Sequence, residues 1–391
     1  GPNPNNYILL PDMNTTESRC MFNDKELWNP SMGEWPANFD CEKEVVYKLD
    51  WGDGFIGYIP TSTFEIVASA GSMTYNETNN KCLYNGSSIF TMYMGNVDKN
   101  VCMQMSVINI RGATQSALIT KMNDKPHKLN VKNGLYRIIG SIYDERSKTN
   151  RLKVIKATPL TDGTTSLYSW DLDINNKSYT NIWATPTSGN FSNSLTSGAS
   201  IMKLLNSGSW WNGTSGTYDN FYIYKDNPET INVNFTNYKL SDKAKSNIDI
   251  SRYYLGSAGE SGISENVYRN ERGTLRYDEN RPLYWDGMVG LMYPSDYGYA
   301  AGNVCATGTE LYEYIGECSN KDWLYNTGVN QWLMSPGSGN SDYVHNVSID
   351  GPVYDNDFSD RARTVSPVFY LTPSASITSG TGTLTDPYIL G

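Results

Sequence analysis

Apolar and polar residues alternate in short runs along most of the chain, for example at 57–59, 64–67 and 103–110. A period of two is typical of strands with one buried face, and the Gly and Asn clusters between the runs indicate turns. Residues 134–143 and 151–156 alternate on either side of a charged turn, which predicts a β-hairpin. The pattern therefore predicts a chain dominated by short strands.

Helical patterns are few and short. The candidates are residues 200–206, 241–248 and 309–315. Ser241 stands where a helix N-cap is expected, and Asp242 follows at the positive end of the helix dipole. Strands with a few added helices predict the α+β fold class.

The best candidate for a domain boundary is the polar run at residues 122–126, which ends in a proline. We therefore predict a small β-rich domain over residues 1–130 and a second domain over residues 131–391. The first domain is expected to be tied together by disulfides.

Six cysteines fall into three pairs of sequence neighbours, and no pair has the two-residue gap of a zinc site. We predict three local disulfides and hence an oxidising compartment outside the cytosol, with buried free thiols as the alternative. The predicted bonds are Cys20–Cys41, Cys82–Cys102 and Cys305–Cys318.

The composition favours recognition by aromatic rings over binding by charge. The chain has 29 Tyr and 10 Trp against 10 Phe, and its net charge is −10 with no basic run. Tyr and Trp suit half-exposed contact surfaces because each ring carries a polar group. Phosphate binding needs a concentrated basic face, so we expect no nucleic-acid partner and no direct insertion into a membrane.

From about residue 133 onward, the chain contains a series of motifs in a fixed order. They occupy residues 135–140, 151–155, 168–171, 201–206, 290–300, 322–324, 332–336, 363–371 and 380–390. With these motifs the chain resembles a domain of unassigned function in surface proteins of gram-positive gut bacteria. One departure is Ser366, where that family has an arginine, so any ion pair of that arginine is either lost or supplied by Arg361 or Arg363.

The resemblance implies a secreted or surface-anchored protein, in some members behind a pilin-like segment. It also implies a C-type-lectin-like fold for residues 131–391, similar to relatives of the formylglycine-generating enzyme. Gly1-Pro2 is typical of what remains after protease cleavage of an expression tag, so we expect a native signal or anchor to have been removed.

The segment from residue 338 to residue 361 is the predicted ligand-binding region. In C-type-lectin-like folds this stretch meets ligands, and rigid Tyr with adaptable Asn and Ser suits recognition. We expect Tyr343, His345, Tyr354 and Asn356 to face solvent; an ordinary solvated hairpin is the alternative. The predicted ligand-binding residues are Trp332, Asn340, Tyr343, His345, Asn346, Tyr354, Asp355, Asp357 and Arg361.

We expect an extracellular adhesin without enzymatic activity, located at a cell surface or on a pilus. Its partner would be a host or microbial glycan or protein, with pilus or cell-wall components as further candidates. We expect no cofactor; a calcium site formed by Asp350, Asp355, Asp357 and Asp360 is the alternative. The competing functions are a glycoside hydrolase with a carboxylate pair, for which Trp210 and Trp211, if exposed, would be a sugar platform, and a structural pilin or stalk subunit.

Overall fold

A computed structural model describes residues 5–11, 15–23, 25–27, 39–51, 56–88, 97–110, 112–185, 195–222, 227–259, 261–326 and 330–391. The chain divides into two compact units. Unit 1 comprises Gly1–Glu17, Asn130–Tyr325 and Asn330–Gly391, and unit 2 comprises Ser18–Leu129 and Asn326–Val329.

The described residues up to Lys132 form twelve strands and one short α-helix. The strands are β1 (Tyr7–Leu9), β2 (Thr16–Phe22), β3 (Lys25–Glu26), β4 (Val46–Asp50), β5 (Ile56–Pro60), β6 (Glu65–Ala68), β7 (Met73–Asn76), β8 (Lys81–Tyr84), β9 (Ser87–Ser88), β10 (Ser106–Ile110), β11 (Ala113–Lys121) and β12 (His127–Lys132). The helix is α1 (Lys99–Gln104), and 3-10 turns cover Cys41–Lys43 and Thr61–Thr63.

The described residues after Lys132 add sixteen strands and seven short helices. The strands are β13 (Leu135–Asp144), β14 (Thr149–Lys156), β15 (Tyr168–Ser169), β16 (Ser215–Asn220), β17 (Glu229–Asn234), β18 (Ile248–Asp249), β19 (Ser251–Tyr254), β20 (Tyr284–Gly287), β21 (Val289–Gly290), β22 (Gln331–Pro336), β23 (Tyr343–Val347), β24 (Val353–Phe358), β25 (Ala362–Arg363), β26 (Val368–Leu371), β27 (Ile377–Ser379) and β28 (Tyr388–Leu390). The helices are α2 (Ser200–Asn206), α3 (Ser209–Asn212), α4 (Asp242–Ser246), α5 (Ser264–Glu271), α6 (Pro294–Ala300), α7 (Asn303–Gly308) and α8 (Glu317–Lys321). The predicted strand-dominated α+β class is confirmed.

Unit 2 contains a five-stranded sheet, in the order β5-β4-β11-β10-β6, and a three-stranded sheet, β7-β8-β9. Its two buried clusters each enclose one disulfide. Cys82–Cys102 packs with Met73, Met105 and Val107, and Cys20–Cys41 packs with Phe22 and Val46. Crosslinks of this kind compensate for small hydrophobic cores, mainly by restricting the unfolded chain.

All three predicted disulfides are confirmed, including Cys305–Cys318 in unit 1, and the described residues include no free cysteine. The three bonds are those expected of a protein that folds in an oxidising compartment. Within the described ranges, no helix has the length and apolar character needed to cross a membrane.

Unit 1 is organised by one large sheet in the order β18-β26-β14-β13-β1-β28-β27, with β21 also paired to β26. Neighbouring residues of its inner strands point to opposite faces, as in any pleated strand. Val154 and Phe369 pack in one core, and Ile155 and Val368 pack in the other. The predicted hairpin is confirmed, because it is the β13–β14 pair of this sheet.

The first described segment of the chain belongs to unit 1, although we predicted it as part of the N-terminal domain. The reason is strand pairing: β1 pairs antiparallel with β13 and parallel with β28. Arg137 reinforces this, because its guanidinium lies 4.5 Å from the ring centroids of both Tyr7 and Trp323. Its Nε also donates a hydrogen bond to Asn6 Oδ1 at 3.0 Å.

The helix predictions have mixed outcomes. The first candidate is α2, and the second is α4, whose N-cap Ser241 accepts a hydrogen bond from the backbone of Ala244 at 3.0 Å. The third candidate contains only a 3-10 turn, Leu311–Glu313.

A buried ion pair joins the first segment to the centre of the sheet. Glu17 and Lys156 are each 3% exposed, and Lys156 Nζ lies 3.1 Å from Glu17 Oε1. Removing one partner of a buried pair is costly because the remaining charge stays desolvated.

We expect Glu17→Ala to lower the free energy of unfolding of unit 1 by about 3–5 kcal/mol, because it leaves the Lys156 ammonium buried without its carboxylate. Urea unfolding followed by tryptophan fluorescence measures this. Glu145→Ala is the control, since its pair with Lys148 is exposed and should contribute little. Equal effects of the two substitutions would contradict this account.

Candidate ligand-binding surface

The predicted ligand-binding region folds as the antiparallel sheet β22-β23-β24 and the loops that connect its strands. The loop between β22 and β23 is fixed by the buried side chain of Asn181. Its Nδ2 lies 3.2, 2.9 and 2.8 Å from the carbonyl oxygens of Gly337, Asn340 and Tyr343. Backbone atoms add a bond from Asn181 N to Ser341 O at 2.9 Å. A polar loop that is hydrogen-bonded in this way can present side chains at low entropic cost.

Aromatic rings and one arginine meet on the outer side of this sheet. The rings of Tyr343 and Phe358 lie edge to face with centroids 5.2 Å apart, and Phe358 is 38% exposed. The Arg361 guanidinium lies 4.1 Å from the ring centroid of Phe221 and 5.8 Å from that of Phe358. We call these four residues the Phe358 surface.

The polar residues among the predicted ligand-binding residues differ in their surroundings: some are partly exposed, and some form ion pairs. Asn340, Tyr354 and Asp355 are partly exposed, as is Arg361, whose side chain pairs with Asp360 at 3.5 Å. Of the predicted residues, Tyr343 and Arg361 belong to the surface itself.

Three predicted ligand-binding residues are buried, which corrects their expected place on the surface. Trp332 is 1% exposed, and its Nε1 donates to Tyr168 O at 2.8 Å. Asn346 is 5% exposed and donates to Asp357. His345 is 1% exposed, so the prediction that it faces solvent is wrong. A strand with one face in solvent has alternately buried and exposed side chains, but β23 is covered on both faces.

His345 holds together three segments of unit 1. Its Nδ1 lies 3.0 Å from Ser335 O, and its Nε2 lies 3.0 Å from Gly259 O. A neutral imidazole has one N–H donor, so it can donate to only one of these carbonyls at a time. Burial lowers the pKa of His345, while the Gly259 carbonyl and the charge of Asp355 act in the opposite direction.

A small cleft lies beside His345. It is lined by Ala258, Gly259, Ser261, Gly262, Val267, Pro294, Leu311, Tyr312, His345 and Val353. It has room for about one water molecule, far less than the roughly 300–1,000 Å³ of typical small-molecule sites. His345 lines this cleft, but both of its ring nitrogens already face carbonyl oxygens. The cleft therefore gives no support to a catalytic role.

Three of the four aspartates of the calcium alternative are engaged in ion pairs or buried, and the fourth, Asp355, is partly exposed. Asp357 accepts two bonds from Arg363, at 2.8 Å from Nε and 3.0 Å from Nη2. Asp350 is 2% exposed, and Asp360 pairs with Arg361. Over the part of the chain that the structure describes, no three His, Cys, Asp or Glu side chains are grouped to hold a metal ion.

One of the two tryptophans of the sugar-platform alternative is excluded by burial. Trp210 is 1% exposed and packs in the core of unit 1, so it cannot be a sugar platform. Trp211 is partly exposed, and its ring centroid lies 5.2 Å from Lys245 Nζ. Of the two arginines considered for the ion pair near Ser366, Arg363 pairs with Asp357 and Arg361 pairs with Asp360.

A second exposed surface in unit 1 escaped the sequence analysis. On it, the Arg252 guanidinium lies 3.9 Å from the ring centroid of Tyr284, and Tyr284 pairs across β19–β20 with Tyr254. The Arg272 guanidinium lies 3.6 Å from the ring centroid of Tyr268 and 5.2 Å from that of Tyr254. We call these five residues the Tyr284 surface. One signal was present in the sequence: residues 268 and 272 are four apart, which places them on one helix side if α5 continues to its C-cap.

Comparison of the chain with family models, with curated proteins and with solved structures finds no match.

We expect the imidazole of His345 to make unit 1 less stable in acid. Its pKa in the folded state is lower than in the unfolded chain, so its contribution is complete above about pH 6.5 and is lost as the pH falls below that value. His345→Gln should therefore reduce the loss of urea stability between about pH 7 and about pH 5.

The matched control is His127→Gln, because His127 is exposed on β12. This substitution should leave the pH dependence unchanged. If the wild type and His345→Gln lost the same stability over this interval, the buried imidazole would not be the group responsible.

Proposed function

We propose that this chain is an extracellular binding protein that recognises a glycan or a protein through the Phe358 surface, without chemical turnover. The observation that carries the proposal is the edge-to-face pair of Tyr343 and Phe358 beside the stacked Arg361. Exposed aromatic rings and arginine are the residue types that contribute most to binding at interfaces. Their position coincides with the segment in which the family resemblance places ligand contacts.

The rigidity of the surface supports binding in a second way. Asn181 fixes the preceding loop, and the Asp357–Arg363 pair fixes the end of β24. A ligand therefore orders few side chains when it binds, and less of the contact energy is lost to entropy.

The proposed setting is the surface of a bacterial cell or a pilus, and the proposed fold of residues 131–391 is C-type-lectin-like. The three disulfides support an oxidising environment. The strand-dominated unit 1, in which the first and last strands pair in one sheet, is compatible with that fold proposal. Its terminal motif forms β28.

We expect the full chain to bind a subset of a broad glycan array and Phe358→Ala to weaken that binding at least tenfold. The reason is the loss of a contact ring and of its edge-to-face contact with Tyr343, an effect of about 1.4 kcal/mol or more for a central interface residue. Leu384→Ala is the matched control, because Leu384 is 42% exposed and lies outside the surface. Circular dichroism checks that both variants fold.

A blank array would rule out the glycan as ligand, and capture of host or bacterial surface proteins would then test the protein alternative with the same two variants. Equal binding by Phe358→Ala and the wild type would exclude the Phe358 surface. Release of cleaved sugar would identify a hydrolase, and self-association without a ligand would identify a structural subunit.

We expect ligand binding to be the same in calcium and in chelator. Asp357 is held in a bidentate pair with Arg363, and releasing it for a cation would leave the buried Arg363 without its carboxylate. Titrations in the two buffers measure this. A loss of affinity in chelator of tenfold or more would show that a cation takes part.

A further inference from the structure

The buried nucleophile of unit 1 that the proposed function does not use is Lys153, on the central strand β14. Its side chain is 1% exposed. Nζ lies 2.6 Å from Asp296 Oδ2, 4.3 Å from the ring centroid of Tyr293 and 5.7 Å from that of Tyr370. An ammonium group has three donors, and these described contacts give it one carboxylate oxygen and two aromatic faces. The carboxylate and the two ring faces therefore hold this nitrogen in place against Asp296, in a site closed to solvent.

Asp296 is held with one oxygen fixed. It lies in the first turn of α6, its side chain is 12% exposed, and Oδ2 accepts a hydrogen bond from Tyr293 N at 2.8 Å as well as from Lys153. A backbone N–H in this position polarises the carboxyl group and can stabilise negative charge on Oδ2.

A second carboxyl group belongs to the same cluster. Glu271 is fully buried and accepts hydrogen bonds from the backbone N–H of Ser295, at 3.0 Å, and from its hydroxyl; Ser295 directly precedes Asp296. Burial raises the pKa of Glu271 to about 7, while the charge of Arg272, whose Nη1 lies 3.4 Å from Glu271 Oε1, and the hydrogen bonds from Ser295 act in the opposite direction. Glu271 is thus a carboxyl that holds a proton for part of the time near neutral pH.

We propose that Lys153 and Asp296 condense to an intramolecular isopeptide bond, with Glu271 as the group that lends and recovers the proton. The Nζ–Cγ bond forms and the Cγ–Oδ1 bond breaks. Oδ1 leaves as water with two protons from the ammonium group, so no other reactant is needed. Oδ2 becomes the amide oxygen and keeps its hydrogen bond from Tyr293.

The energetics favour condensation at this place over an ion pair. Two buried charges carry a desolvation penalty that their attraction offsets only in part, and a neutral amide removes both charges. Solvent water also has little access to so buried a site, which disfavours the reverse reaction, hydrolysis of the amide. The product would join β14 to α6 across 143 residues of chain.

The test is the intact mass of the full chain, denatured and with its disulfides reduced. We expect a mass lower than the sequence mass by one water, and a branched proteolytic peptide that contains Lys153 and Asp296. The mass deficit alone does not identify the bond, because Asp-Gly sequences such as Asp286-Gly287 can also lose water. The branched peptide is therefore required as well. A wild-type chain of full sequence mass after prolonged incubation would overturn the proposal.

Variants separate the bond from nonspecific dehydration. Lys153→Arg keeps the charge but cannot condense, so the mass deficit should disappear. Lys156→Arg is the matched control, because Lys156 is equally buried against Glu17 but also lies within hydrogen-bond distance of Asn133 O and Thr158 Oγ1. A deficit that persists in Lys153→Arg would refute the assignment.

Glu271→Gln tests the proton carrier, since the amide can retain hydrogen bonds to Ser295 but cannot exchange a proton. In Glu271→Gln we expect a smaller fraction of chains with the isopeptide bond and an unchanged circular dichroism spectrum. In Glu271→Asp we expect this fraction to return toward that of the wild type. An unchanged fraction in Glu271→Gln would exclude the role of Glu271.

Discussion

The constraint on which unit 1 depends is the neutralisation of two lysines that its central strand buries. Lys153 and Lys156 lie on β14, and both side chains are excluded from solvent. A buried ammonium group is tolerated only with a carboxylate beside it, and these carboxylates come from remote parts of the chain. Glu17 arrives with the N-terminal segment, and Asp296 arrives with α6. This electrostatic requirement therefore determines which distant segments pack against the sheet.

The same requirement explains why local features of the fold were predictable and others were not. The β13–β14 hairpin, α2 and the three disulfides depend on residues close in sequence, and their patterns are visible in the chain. The place of β1 depends on partners more than 100 residues away, which alternation cannot specify. The burial of Lys153 and Lys156 could not be predicted from the strand pattern either, because their partner carboxylates are distant in sequence and are brought near only by the fold.

Within the candidate site, sequence reasoning located the segment better than the individual side chains. Residue type identified Tyr343 and Arg361, because aromatic rings and arginine suit contact surfaces. It failed for His345, whose burial follows from a carbonyl of β22 on one side and Gly259 on the other. The Tyr284 surface was missed for a similar reason: its arginines and tyrosines come from β19, β20 and the end of α5, and only the fold stacks them.

The two surfaces share a physical design that bears on what they can recognise. Each arginine that stacks on a ring also has a carboxylate neighbour: Asp360 for Arg361, Asp286 for Arg252 and Glu271 for Arg272. The stacked cations thus add little net charge, in a chain whose overall charge is −10. Long-range attraction of an anionic partner is accordingly weak. Under the proposed binding function, selectivity would therefore come from ring geometry and from hydrogen bonds at contact distance. Surfaces of this kind suit partners with flat apolar faces edged by hydroxyl or amide groups, because these can meet the rings and the polar rim together.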